Sequence, residues 1–454
     1  MNIFLILPNQ LFEDNYKFLR GFDKVYMIEE PHYFSSATIK PNKIKVAYLR
    51  ACMRFYYDDL RKNKVDVSYI AFTEIQDFYK KIAKGSSLNQ IMAYEITDFK
   101  LEGKFKELGI NFTKVETPMF IMKKADLDSY DRKTPSHASF YEMSKKKLGL
   151  LEGVKNQDIY NRSNPRTLVE VNSSLSYITP KTADYYKEAI DYANSSSFSE
   201  NHGYPPTIEA LKIYPITSED AYKAFNHFLS TNLKNFGVYQ DVIQDSNPFM
   251  YHSIISPMCN NGLLQPMKLI EIIKDYNKNH KIDISAFEGF VRQLIGWREY
   301  MRYLYLYKYE ELIKSNNHNN RKSIDKSWYS GTTGIAIIDN EIKKALTYGY
   351  SHHIIRLMVF LNFLILTEVK PEDIYHWFMS IVSIDAYDWV MISNIYSMGY
   401  FSKIGMKRPY LSSSNYLLKM SNYKKDGKWD LQWNDKFRTF VKSRKINFYL
   451  RSIK

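Results

Sequence analysis

Cysteine is scarce: the 454-residue chain holds only Cys52 and Cys259. Two thiols far apart in sequence supply neither a disulfide framework nor a cysteine-rich metal site, so a reducing compartment, cytoplasm or nucleus, is expected. Glycine is also sparse, at 17 residues, and no glycine-rich phosphate loop follows any candidate strand, which excludes the dinucleotide fingerprint. The strongest apolar stretch, Leu357 to Leu366, contains Asn362 and falls short of the ~20 residues that a membrane span needs. No membrane partner is expected. The apolar opening from Met1 to Pro8 has no basic region before it and is expected to be a first β-strand rather than a secretory leader.

Acidic residues are in deficit, 49 against 63 Lys and Arg, for a formal charge of +14. An excess of that sign attracts polyanions, because Lys and Arg that neutralise phosphates release counterions. Nucleic acid is the first partner this implies. A solvated, lysine-rich surface accounts for the charge equally well. Aromatics are abundant at 16%, which suits stacking on planar ligands but also follows from a general Tyr bias.

The length fits two or three domains, each with its own core. Short β-rich runs at Ile3 to Leu7, Lys24 to Ile28, Val65 to Ala71, Gln90 to Tyr94 and Asn111 to Val115 alternate with amphipathic segments at Lys43 to Lys62 and Glu74 to Ala83. That alternation predicts an α/β, Rossmann-like parallel sheet over residues 1–123. A ligand would sit at the carboxyl ends of the strands, near Asn9, Gln10 and Glu30. From 124 to 206 the pattern loosens around Thr134-Pro135-Ser136, Ser163-Asn164-Pro165 and Tyr204-Pro205-Pro206, as expected of an interdomain connection with a few helices. Helical periodicity dominates 207–454, most clearly at Ile284 to Ile313, Asn340 to Glu368 and Pro371 to Asn394. An all-α C-terminal domain is predicted.

Three stretches could carry chemistry. In His252-Ser253-Ile254-Ile255-Ser256-Pro257, hydroxyls three apart at a helix start could present donors to a pyrophosphate, or simply cap a helix. In Arg292 to Tyr300, helical spacing puts Gln293, Gly296, Trp297 and Tyr300 on one face able to floor a planar ligand; otherwise Trp297 is core and Arg298-Glu299 a solvated ion pair. His352 and His353, if both helical, point about 100° apart and cannot easily share one metal, so no metal site is expected. One of them could act as a general acid, since imidazole titrates near working pH.

Taken in order, Pro8 to Leu11, Lys43 to Leu60, His137 to Tyr141, His252 to Leu264, Arg292 to Tyr300, His352 to Phe363, Asp385 to Asn394, and Arg408-Pro409-Tyr410 through Met420-Ser421-Asn422-Tyr423 resemble the photolyase/cryptochrome family. The resemblance is nearest to its iron-sulfur bacterial, or prokaryotic (6-4) photolyase, branch, and runs along nearly the whole chain. It implies an antenna-type α/β domain, a helical domain holding FAD, and repair of UV-damaged DNA, with a (6-4) photoproduct favoured over a cyclobutane dimer. A cryptochrome-like photoreceptor that binds FAD without repair is the alternative. By position, the resemblance assigns FAD to Phe236, Gly237, His252, Ser253, Ile255, Ser256, Gln293, Trp297, Arg298, Asp385 and Asn394. It assigns lesion chemistry to His353 and His352 with Tyr410 and Tyr416, electron transfer to Trp377 and Tyr329, and a ribityl-lumazine antenna to Asn9, Gln10 and Glu30. A monomer is implied.

Where that branch has cluster cysteines this chain has Lys424 and Gly427, so no iron-sulfur cluster is expected. Tyr329 and Phe378 replace a usual Trp and Tyr, which leaves the photoreduction route open.

Overall fold

The computed structural model describes residues 1–84, 90–158, 160 and 176–450. The turn signal at Ser163-Asn164-Pro165 lies outside them. Five apolar, β-rich runs form one parallel sheet: β1 (Asn2–Ile6), β2 (Lys24–Ile28), β3 (Val67–Ile70), β4 (Gln90–Tyr94) and β5 (Thr113–Val115), in the order β3-β2-β1-β4-β5. The central strand pairs on both sides, Leu5 facing Tyr26 on one and Ala93 on the other. Helices cover both faces, so Ile3, Phe4, Leu5 and Ile6 are all buried, as parallel sheets require. The third and fifth strands are shorter than their β-rich runs suggest, because only residues with a neighbouring strand keep a ladder.

Beyond the sheet the described chain is helical. The helix Lys43–Lys62 runs over its predicted span, with the Asn42 side chain accepting from Ile44 N at 3.2 Å. The same side chain donates to Ala345 O at 2.9 Å and to Ile381 O at 3.3 Å, so this cap also ties the α/β part to the helical part.

Two expected helices are interrupted. Asn340 to Glu368 is not continuous: the helix Ala336–Tyr348 ends at Gly349, whose φ of 63° is a left-handed stop. Pro371 to Asn394 divides into Pro371–Ser380 and Asp388–Ser393, with residues 381–387 crossing between them.

The π-helical segments Arg292–Arg298, Ile355–Leu361 and Asn394–Met398 all fall on stretches singled out for chemistry. Wide helical turns of this kind re-aim side chains and recur at functional sites.

Candidate functional site

The loop before the helix Ser256–Asn261 is built under strain. Asn247 Oδ1 accepts from the amides of Phe249 and Met250 at 2.9 and 3.0 Å. Met250 and Ile254 take φ of 47° and 54°. A left-handed β-branched residue costs about 1–3 kcal/mol and persists only where its surroundings force it. The result is a narrow cleft lined by His252, Ser253, Phe228, Asn232, Met258 and Tyr177.

Three imidazoles gather beside it. His252 Nδ1 lies 3.1 Å from Phe249 O, while its Nε2 is buried without a partner. The ring of His352 stacks on it at 4.5 Å and 16°, and neither His352 nitrogen has a partner. Burial pushes His252 down to about 3 and His352 well below its ordinary value, so both are neutral. His353 is half exposed at 47%, with Nε2 3.3 Å from Asp241 Oδ1.

The expectation that the adjacent histidines diverge is corrected. His352 precedes the first helical residue, His353, so the 100° rule does not apply, and ligand atoms of His252, His352 and His353 lie within 4.8 Å of one another.

A second cluster surrounds Asp385. Ser256 Oγ donates to its carboxylate at 2.6 Å, and Arg356 Nη2 bridges both oxygens at 2.9 and 3.1 Å. Asn260 Nδ2 donates to Asp385 O at 2.8 Å. Arg298 Nη2 reaches Asn260 Oδ1 at 3.1 Å and Nη1 reaches Met119 O at 2.8 Å, with its guanidinium 5.0 Å over Trp389. Arg298 is therefore buried, not part of a solvated pair. Ser256 is spent on Asp385 rather than left free for an anion.

The remaining predicted residues are scattered more widely. Phe236 packs edge-on to His252 at 5.8 Å; Gly237 is buried beside it. Ile255 is buried and its carbonyl accepts from Cys259 N at 2.9 Å. Gln293 and Asn394 bond to their own helices, at Gly289 O and Val390 O. Trp297 is half-buried against the core. Tyr410 is exposed and Tyr416 half-buried.

Trp377 is fully buried and donates to Trp328 O at 2.8 Å, its ring 5.5 Å from that of Trp328. Tyr329 instead lies against His202 at 4.9 Å. In the α/β part, Gln10 is spent on Leu7 N and Tyr94 O, and Glu30 on Lys104, Tyr79 and His32 N, whereas Asn9 Oδ1 is buried without a partner. Sequence reasoning missed Asp241, Arg356 and Trp328. For Trp328 a signal existed in its neighbour Tyr329; for Arg356 it was a cation four residues after His352 on a stretch already singled out.

Two family models match the chain: one described as deoxyribodipyrimidine photo-lyase-related protein over residues 4–203, and the FAD binding domain of DNA photolyase over residues 290–447. The stretch 204–289, which carries Asp241, His252 and Ser256, lies between the two matches. The chain belongs to the photolyase/cryptochrome family. Among its relatives, a (6-4) photolyase of Agrobacterium fabrum is 27% identical over 403 residues, 84% of this chain and 78% of that protein. The uncharacterized protein R853 of Acanthamoeba polyphaga mimivirus is 40% identical over 115 residues, 25% of this chain and 88% of that one. A bacterial class III photolyase from Agrobacterium tumefaciens superposes with a TM-score of 0.61 at 16% identity, covering 97% of this chain and 86% of its own.

The FAD-binding domain of this photolyase/cryptochrome chain can be tested against its own polar groups. His252 Nε2, both His352 nitrogens and Ser351 Oγ are buried and unsatisfied. Each such group costs about 1–3 kcal/mol when left unpaired. A dinucleotide offers phosphates, hydroxyls and ring nitrogens that satisfy such groups, so these unpaired groups fit FAD.

Proposed function

We propose that the protein is a light-driven DNA photolyase that repairs UV-induced pyrimidine dimers, with the (6-4) photoproduct its favoured lesion. One observation carries this reading: His353 stands half exposed and paired to Asp241, its ring 5.4 and 6.1 Å from those of the buried, neutral His252 and His352.

A base inside a duplex cannot reach a buried cleft, so the lesion must be flipped out, which is cheapest where damage has already weakened stacking. The excess of Lys and Arg grips the flanking phosphates. When bound, reduced FAD would supply the light-driven electron. His252, Ser253 and His352 would hold it, and the Arg356–Asp385–Ser256 cluster would fix the adjoining wall. A (6-4) product also needs a proton donor to return the transferred oxygen, and His353 would be that donor. Asp241 Oδ1, 3.3 Å from Nε2, orients its ring.

A cyclobutane dimer has no such requirement. An antenna of the ribityl-lumazine type would find Asn9 Oδ1 buried and unpaired at the strand end. With two cysteines in the whole chain, the reading includes no iron-sulfur cluster. It takes the protein to act as a monomer in a reducing compartment.

The test is repair, by reduced protein in blue light and in darkness, of two oligonucleotides, one carrying each lesion. Light-dependent repair of the (6-4) product that His353→Ala abolishes is the expected result. Repair of cyclobutane dimers alone would reassign the lesion. A yellow protein that repairs neither would be a photoreceptor.

A further inference from the structure

The first turn of the helix Lys43–Lys62 belongs to the α/β part but grips the helical part at one short segment. The Asn42 amide donates to Ser383 Oγ at 3.0 Å, the Asn42 side chain to Ile381 O at 3.3 Å, and the Lys45 ammonium to Ala386 O at 2.6 Å. These acceptors flank Asp385 within the crossing 381–387, every residue of which is buried. Asp385 itself is held by Ser256, Asn260 and Arg356 of the helical part. The wall assigned to the flavin is therefore supported from both parts of the molecule.

The support from the α/β part is charged. Burying an ammonium costs far more than burying a neutral donor, and a neutral amide would satisfy the Ala386 carbonyl. Lys45 is nonetheless only 1% exposed, its ammonium 4.4 Å over the Tyr387 ring. Two carboxylates act on it, Asp385 and Asp98. Each has a nearer cation: Arg356 bridges both oxygens of Asp385 at 2.9 and 3.1 Å, and His32 lies 2.6 Å from Asp98. The Lys45 charge is left over, behind a wall where water does not screen it. Reduced flavin at neutral pH is an anion and the oxidised ring is neutral, so a cation held nearby favours the reduced form.

We propose that Lys45 is a positioning residue of the flavin site: its ammonium fixes the Asp385 segment and supplies the positive charge that favours the reduced, anionic cofactor. This rests on the FAD-binding reading above. By this route the α/β part sets the redox balance of a group bound in the helical part. Two electrons and one proton convert the neutral oxidised ring into the reduced anion, and Lys45 neither gives nor takes any of them. It acts through the Asp385 segment and through its charge.

The experiment is a reductive titration of the purified, FAD-loaded full chain with dithionite against a reference dye, with bound FAD counted by absorbance. It is run at pH 6, below the value of about 7 to which burial pushes the ammonium, so that the charge is present. Lys45→Met removes charge and hydrogen bond, Lys45→Gln removes the charge and keeps a donor for Ala386 O, and Lys45→Arg keeps the charge. At a given potential the two neutral variants should hold about tenfold less reduced relative to oxidised flavin than the parent, a two-electron midpoint about 30 mV lower. Lys45→Arg should stay at the parent's midpoint. Either neutral variant decides the matter if the other does not fold. Equal midpoints in the parent and a neutral variant, or a midpoint in Lys45→Arg as low as theirs, overturn the role of Lys45 and leave the flavin reading intact. A colourless parent overturns the flavin reading itself, and this role with it.

Discussion

Lys45 is a cation with almost no access to water: its ammonium donates to Ala386 O at 2.6 Å and sits 4.4 Å over the Tyr387 ring. Burial pushes it down to about 7, against the pull of Asp385. The unfolded chain therefore binds more protons than the folded one between about 7 and 10.5, so Lys45 makes stability rise with pH across that window. Lys45→Met keeps the volume and removes the charge. Its urea midpoint should gain less than the parent's between pH 7 and pH 9. The sequence placed Lys45 on a helix but could not tell that its end is buried. It likewise singled out His353 but not Asp241, which is 112 residues away in the chain; spacing along one helix says nothing about such a partner.

At the scale of elements, periodicity was legible and interruptions were not. The helix 43–62 follows its apolar stripe, whereas the break at Gly349 depends on what lies opposite. Gly349 has φ 63°, and a Cβ there would meet Ile44 Cγ2 at 2.7 Å, on the helix whose cap joins the two parts. Gly349→Ala should thus cost both backbone strain and a clash, about 1–3 kcal/mol. Gly334→Ala is the control: φ is 81° but nothing lies within 4 Å, so only the strain of about 1 kcal/mol applies. Urea denaturation of the two variants should rank them in that order. The three π-helical segments were equally hidden, because one extra residue per turn leaves an apolar stripe nearly unchanged over so short a run.

Across the whole molecule, a buried polar network joins the sheet to the helices. His32 pairs with Asp98 at 2.6 Å, and Asp388, across the seam, accepts from Tyr305 at 2.5 Å and from Tyr375. Burial and the Asp98 charge push Asp388 up to about 6, so the folded state holds its proton where the unfolded one does not. That contribution is present at low pH and is lost as pH rises from about 4 to 6. Subtracting the melting profile of Asp388→Asn from the parent's should isolate this decline. The +14 charge makes a further prediction: binding to damaged DNA should weaken linearly in log K against log salt, by about 0.9 per phosphate contact. A flat plot would remove the lysine-rich surface from the interface. By itself the sequence determined the α/β-then-helical order and the candidate histidines, because hydrophobic period and residue chemistry are local properties. Only the tertiary structure decided that His252 and His352 are neutral, that Ser256 and Arg298 are spent within the protein, and that the Lys45 ammonium is buried against the segment that carries Asp385. Burial and pairing are set by segments that meet only once the chain has folded.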